Sequence, residues 1–117
     1  MDMEIQRQNG TLRIAGLSEL TFANARDFRK AVAPKLDSEL SEIEVDMSQT
    51  EFVDGGGLGA LLAIYRAANE KNAGKVVALR LLFPQPPVLQ MLELTQLRHL
   101  FEIVMAESEL EERRIPA

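Results

Sequence analysis

The run Asp54-Gly55-Gly56-Gly57-Leu58-Gly59 is where chemistry could be built in this chain. A carboxylate followed by three glycines exposes backbone amides and leaves no side chains in the way of a ligand. Gly55-Gly56-Gly57-Leu58-Gly59-Ala60 matches the spacing G-x-G-x-x-A of a dinucleotide-binding turn. The match ends there. The next apolar run, Val76–Leu82, closes without the acidic residue that would hold a ribose hydroxyl, and the chain is too short for paired nucleotide-binding halves. A P-loop needs Lys and Ser or Thr after its last glycine, and here Leu58 follows Gly57. Asp46 and Asp54 make a poor acid–base pair, one within a strand and the other at a helix start, where capping the exposed amides is its natural task. His99 is the only histidine, beside Arg98 and with no cysteine in the chain, so a metal site is not expected. No G-x-S-x-G presents a nucleophilic serine. The reading is a binding module and not an enzyme, with no cofactor.

The elements around this turn follow from periodicity. Met3 and Ile5, then Leu12 and Ile14, alternate with polar residues as half-buried strands do, and Asn9-Gly10 reads as the hairpin turn between them. Thr21 is placed to cap an amphipathic helix bearing Phe22, Ala25, Phe28, Val32 and Leu36, with irregularity from Pro34 across residues 33–36. Ile43, Val45 and Met47 alternate with Glu44, Asp46 and Ser48 in a strand. A short connection through Phe52 and Val53 leads into the glycine turn. The following helix carries Leu58, Leu61, Leu62, Tyr65 and Ala68, and Asn72 to Gly74 stop it. Leu58 is open between an exposed position at the helix start and the first core position. Val76–Leu82 reads as a strand covered on both faces. Pro84-Gln85-Pro86-Pro87 starts a short helix with Val88, Met91, Leu92 and Thr95. Leu100–Val104 is the last strand, and Ser108 is placed to cap a final charged turn. The order β-β-α-β-α-β-α-β implies an α/β fold whose mixed sheet has a parallel core flanked by helices.

Bulk properties bound the partners. The 117 residues fit one domain, 1–117, with 107–117 a charged C-terminal segment. The net charge of -5 opposes nucleic acid, and Arg113-Arg114, preceded by Glu111-Glu112, reads as a solvated tail. The first residues lack the basic start and apolar run of a signal peptide, and no apolar run approaches the roughly 18 residues needed to cross a bilayer. A cytoplasmic protein without direct membrane insertion is expected.

Val45-Asp46-Met47-Ser48 followed by Phe52-Val53-Asp54-Gly55-Gly56-Gly57-Leu58-Gly59 resembles the central motif of STAS domains, which include bacterial anti-sigma factor antagonists. Pro84 and Leu92-Glu93-Leu94-Thr95-Gln96-Leu97, then Leu100-Phe101-Glu102-Ile103, are similar to that family's C-terminal pattern. The resemblance implies a mixed sheet with helices, no catalytic machinery, and binding to an anti-sigma kinase that phosphorylates a serine or threonine directly after the motif aspartate. Here that position is Gly55, which has no oxygen to accept phosphate, and Gly56 replaces the second hydroxyl residue. The implied partner surface is Asp54, Gly55, Gly56, Gly57 and Leu58. Ser48 and Thr50 are the nearest hydroxyls that could substitute as acceptors.

Three readings follow. The first is a regulatory module binding an anti-sigma factor kinase-like protein, unswitched at Gly55. The second is a STAS-like structural subunit bound to the ATPase of a membrane lipid-transport ABC complex. The third is a nucleotide or anion binder at the glycine turn.

Overall fold

Two residues suffice to reverse the chain at Asn9-Gly10. Strands β1 (Glu4–Gln8) and β2 (Thr11–Ala15) pair antiparallel with Gln8 opposite Thr11, and Asn9 takes φ 56°, which asparagine tolerates. The Gly10 carbonyl accepts the Ser41 and Glu42 N–H groups at 2.8 and 3.1 Å, which ties the hairpin to the start of the third long strand. The computed structural model describes residues 2–72 and 74–114, and side chains as far as residue 111.

The remaining elements are β3 (Glu19–Leu20), α1 (Ala25–Val32), β4 (Glu42–Asp46), β5 (Phe52–Val53), α2 (Gly55–Lys71), β6 (Ala78–Leu82), α3 (Pro86–Leu94), β7 (Glu102–Val104) and α4 (Glu107–Arg114). The main sheet runs β1-β2-β4-β6-β7, parallel except at the β1–β2 edge. This is the mixed sheet with a parallel core that the order of elements implied. The sequence reading missed a second, two-stranded parallel sheet of β3 and β5, because two residues give no periodicity to read.

One face of the main sheet packs under the helices. Ile14, Val45 and Leu81 lie side by side across β2, β4 and β6 and join the core with Phe28, Leu61 and Leu92. The opposite face is charged. Arg13, Glu44, Arg80 and Glu102 stand directly opposite one another on four successive strands, alternating in sign. Arg13 reaches Glu44 at 3.6 Å and Asp46 at 3.2 Å, while Arg80 pairs with both Glu42 and Glu102. Glu44 was expected as an ordinary outward residue, yet it is fully buried beneath this row. Where the row ends, Leu110 of α4 covers Leu82 and Val104.

Several local expectations need correction. Thr21 does not cap α1; Asn24 holds that position. Thr21 belongs to a turn whose N–H donates to Asn24 Oδ1 at 2.8 Å, while its carbonyl accepts the Asn24 and Ala25 N–H groups. Phe22 therefore precedes the helix and is 80% exposed, outside the apolar stripe to which it was assigned. Val76 also lies outside its strand and is exposed, and β7 is shorter than residues 100–104. Ser108 lies within α4, not at its cap. Pro34 acts as expected: α1 gives way to a 3-10 turn at Ala33–Lys35. Tyr65 meets Phe101 edge to face at a centroid distance of 6.2 Å, a core contact. The charged segment 107–117 is helical through Arg114; residues 115–117 and the side chains of Arg113-Arg114 lie outside the described residues.

Candidate functional site

The small sheet positions the glycine turn. Pairing of Leu20 with Val53 brings the residues after β3 against the residues after β5, so α1 and α2 start side by side. Asp54 joins the two starts. Its Oδ1 accepts the Gly57 N–H at 2.9 Å, as the cap of α2, and also the Phe22 N–H at 3.0 Å. These amides, that of Gly57 foremost, hold the Asp54 carboxyl below the usual carboxylate range against the opposing effect of desolvation. The place that an anion would take at this helix start is filled by the chain's own carboxylate.

The three glycines do different work. A Cβ at Gly57 would lie 1.9 Å from the Leu20 carbonyl oxygen, so only glycine lets α2 approach β3 this closely. A Cβ at Gly56 would lie 2.7 Å from Phe22 Cα and Cβ. At Gly55 a Cβ meets nothing within 4 Å, and the residue faces solvent. Leu58 resolves as the first core residue, 2% exposed, so it offers no surface to a partner. The accessible part of the turn is Gly55 with the edges of Asp54 and Gly56, while Gly57 and Leu58 are buried.

Two apolar side chains that the sequence reading did not assign to this surface border it. Phe22 adjoins Gly56 through its backbone, and Phe52 lies two residues before Asp54 on β5; they are 80% and 55% exposed. The signal for Phe52 was available: on a two-residue strand its neighbour Val53 points into the core, so Phe52 must point out.

The candidate hydroxyls separate cleanly. Thr50 is fully buried and donates to the Leu17 carbonyl at 2.7 Å, which excludes it as an accessible acceptor in the folded chain. Ser48 is exposed beyond the end of β4, where its N–H donates to Asp46 Oδ1 at 2.9 Å. Asp46 is engaged with Arg13 and Ser48 on the charged face of the sheet, and Asp54 with the two helix starts, so the two carboxylates do not form a working pair. His99 is exposed in a short turn at Leu97–His99. Among the described residues, no helix is long and apolar enough to cross a membrane.

The sequence reading also passed over the cations of residues 26–35. Arg26, Arg29, Lys30 and Lys35 are all exposed, on α1 and the turn that follows it. Arg29-Lys30 was the signal, obscured by a negative total.

No curated protein matches this chain. Solved structures do. The Thermotoga maritima protein TM1081, assigned as an anti-sigma factor antagonist, superposes with a TM-score of 0.80 at 23% identity, over 95% of this chain and 92% of that one. The anti-sigma factor antagonist SpoIIAA of Bacillus, in its unphosphorylated form, gives 0.73 at 18% identity, over 98% and 99%. The murine anion transporter Slc26a9 gives 0.58 at 27% identity, over 73% of this chain but only 14% of that one. These likenesses establish a shared fold. The family model described as Mlab, STAS domain, matches residues 1–105. The chain belongs to the STAS family.

Proposed function

We propose that the chain is a non-catalytic regulatory module that docks a histidine-kinase-like anti-sigma protein through the exposed start of α2. On this reading it has no phosphorylation switch at position 55. The observation that carries it is Gly55: exposed, next to Gly56 against which Phe22 packs, and lacking any oxygen where the family motif places its acceptor. Two exposed phenylalanines suit a protein partner, because aromatic side chains dominate interface energetics. The neighbours SpoIIAA, an anti-sigma factor antagonist, and TM1081, assigned as one, support the class of partner.

The test is titration of the purified chain against each kinase-like anti-sigma protein of its own cell, followed calorimetrically. Binding to one of them, lost in Phe22→Ala, is the expected result; failure of all of them to bind sinks the reading. Gly55→Ser adds a hydroxyl where there is open space, so it should fold normally and accept phosphate if the bound kinase is active.

A second reading has its own support. The family model carries the Mlab description, and a membrane transporter contains a domain of this fold. A subunit of a lipid-transport ABC complex would need no acceptor at Gly55. Co-purification with a transporter ATPase, with no anti-sigma protein bound, would establish it in place of the first. An anion or nucleotide at the glycine turn has less to support it, because Asp54 already occupies the helix start.

A further inference from the structure

The cations of this protein fall into two groups. Among the described residues, Arg7, Arg13, Arg80 and Arg98 are each paired with a carboxylate. Arg66, Lys71 and Lys75 lie scattered on and after α2 in no such pair, and the clustered Arg26, Arg29, Lys30 and Lys35 belong to none either. They are exposed on α1 and its 3-10 extension, with Asp27 as the only acid in residues 25–35. This segment carries a net +3 in a chain of -5. It packs beside α2, and it begins three residues after the exposed Phe22.

We propose that α1 extends the docking surface at Gly55 with an electrostatic contact to a carboxylate-rich patch on the protein partner. The inference rests on the docking reading above and adds the partner's chemistry. Unpaired exposed cations lose nothing internal when an acid approaches, whereas Arg13 and Arg80 would first have to release theirs. The basic segment is 11 residues long, about 16 Å at helical rise. A compact acidic patch matches that length. A nucleic acid or a membrane plane would extend past it and meet the acidic remainder of the chain. Nor can α1 lie in a bilayer interface, because its apolar residues Phe28 and Val32 are committed to the core.

The test follows backbone amide signals of the isotope-labelled full chain at low salt, with three probes. These are a glutamate decamer, vesicles of mixed phosphatidylglycerol and phosphatidylcholine, and a thymidine oligonucleotide. The decamer should shift residues 26–35 and Gly55-Gly56, and the shifts should vanish at about 0.5 M salt, where screening is nearly complete. They should also vanish in R26E/R29E/K30E and weaken in R26Q/R29Q/K30Q, both at exposed positions and checked for unchanged fold by circular dichroism. No shift, shifts centred elsewhere, or tighter binding to vesicles or oligonucleotide than to the decamer would overturn the proposal. With the bound partner in hand, the triple reversal should slow association by about tenfold or more. An unchanged association rate overturns the electrostatic inference and leaves the docking reading standing. Failure of the wild-type chain to bind any partner sinks the docking reading instead.

Discussion

Asp54 and Phe22 are 32 positions apart, yet the Phe22 N–H donates to the Asp54 carboxylate at 3.0 Å, the same group that caps α2. One side chain thus fixes two helix starts relative to each other. Asp54→Ala should lower the thermal midpoint by several degrees and loosen Phe22; Asp54→Asn should retain the cap and lose the charge-assisted part. Thermal melts of the three proteins check this.

Acid should expose the same linkage. Asp54 and Asp37 both titrate below the ordinary carboxylate range, Asp54 chiefly through the Gly57 amide and Asp37 chiefly through Arg7. A folded-state value below the unfolded one means stability that is complete above the unfolded value, near pH 4, and is lost as pH falls through the lowered folded value. The wild-type midpoint should therefore drop as pH falls below about 4. The drop should be smaller in Asp54→Asn. An equal drop in both proteins would contradict the assignment.

The glycines give opposite outcomes. Gly57→Ala forces a Cβ against the Leu20 carbonyl and should cost about 1–3 kcal/mol or more. Gly59→Ala, at an exposed site within α2 with open space around it, should gain about 0.4–1 kcal/mol. Urea denaturation measures both.

The buried carboxylate supplies a fourth test. Arg13→Ala removes a guanidinium from fully buried Glu44 and from Asp46. Breaking a buried pair costs about 3–5 kcal/mol, and the partial exposure of Arg13 reduces the expected loss to about 1–3 kcal/mol. Glu44→Gln in the Arg13→Ala background should recover part of that loss. A double variant no more stable than Arg13→Ala would show that this charge pairing contributes little.

Thr50→Val should destabilise by about 1–3 kcal/mol, because the Leu17 carbonyl loses its buried donor. Phosphopeptide analysis of protein from its native cell should find Thr50 unmodified. Phosphate on Thr50 would require local unfolding of this segment.

What the sequence made legible follows from how local each signal was. Asn9-Gly10, Pro34 and Asp54 act through their own backbone neighbours, and each does in the structure what its residue type dictates. Phe22 and Leu58 fitted apolar helical spacing equally well; only the pairing of β3 with β5 sends one into solvent and the other into the core. Glu44 looked like any outward strand residue, since its burial depends on arginines of two other strands. Gly57 was visible as a glycine, but its reason, the Leu20 carbonyl, comes from a segment 37 residues earlier. The motif marked the candidate site, while the surfaces around it required tertiary contacts.

Helix α4 lies beyond residue 105, where the family match stops, and it rests on the sheet through Leu110 over Leu82 and Val104. SpoIIAA nonetheless superposes over 98% of this chain, so the shared fold runs past Met105-Ala106 into this helix. The helix works as a cover: peeled away, it would leave two aliphatic side chains bare beside a row of charges. Such a spot is adhesive, and a short, highly charged helix keeps it from a second copy of the chain through one leucine.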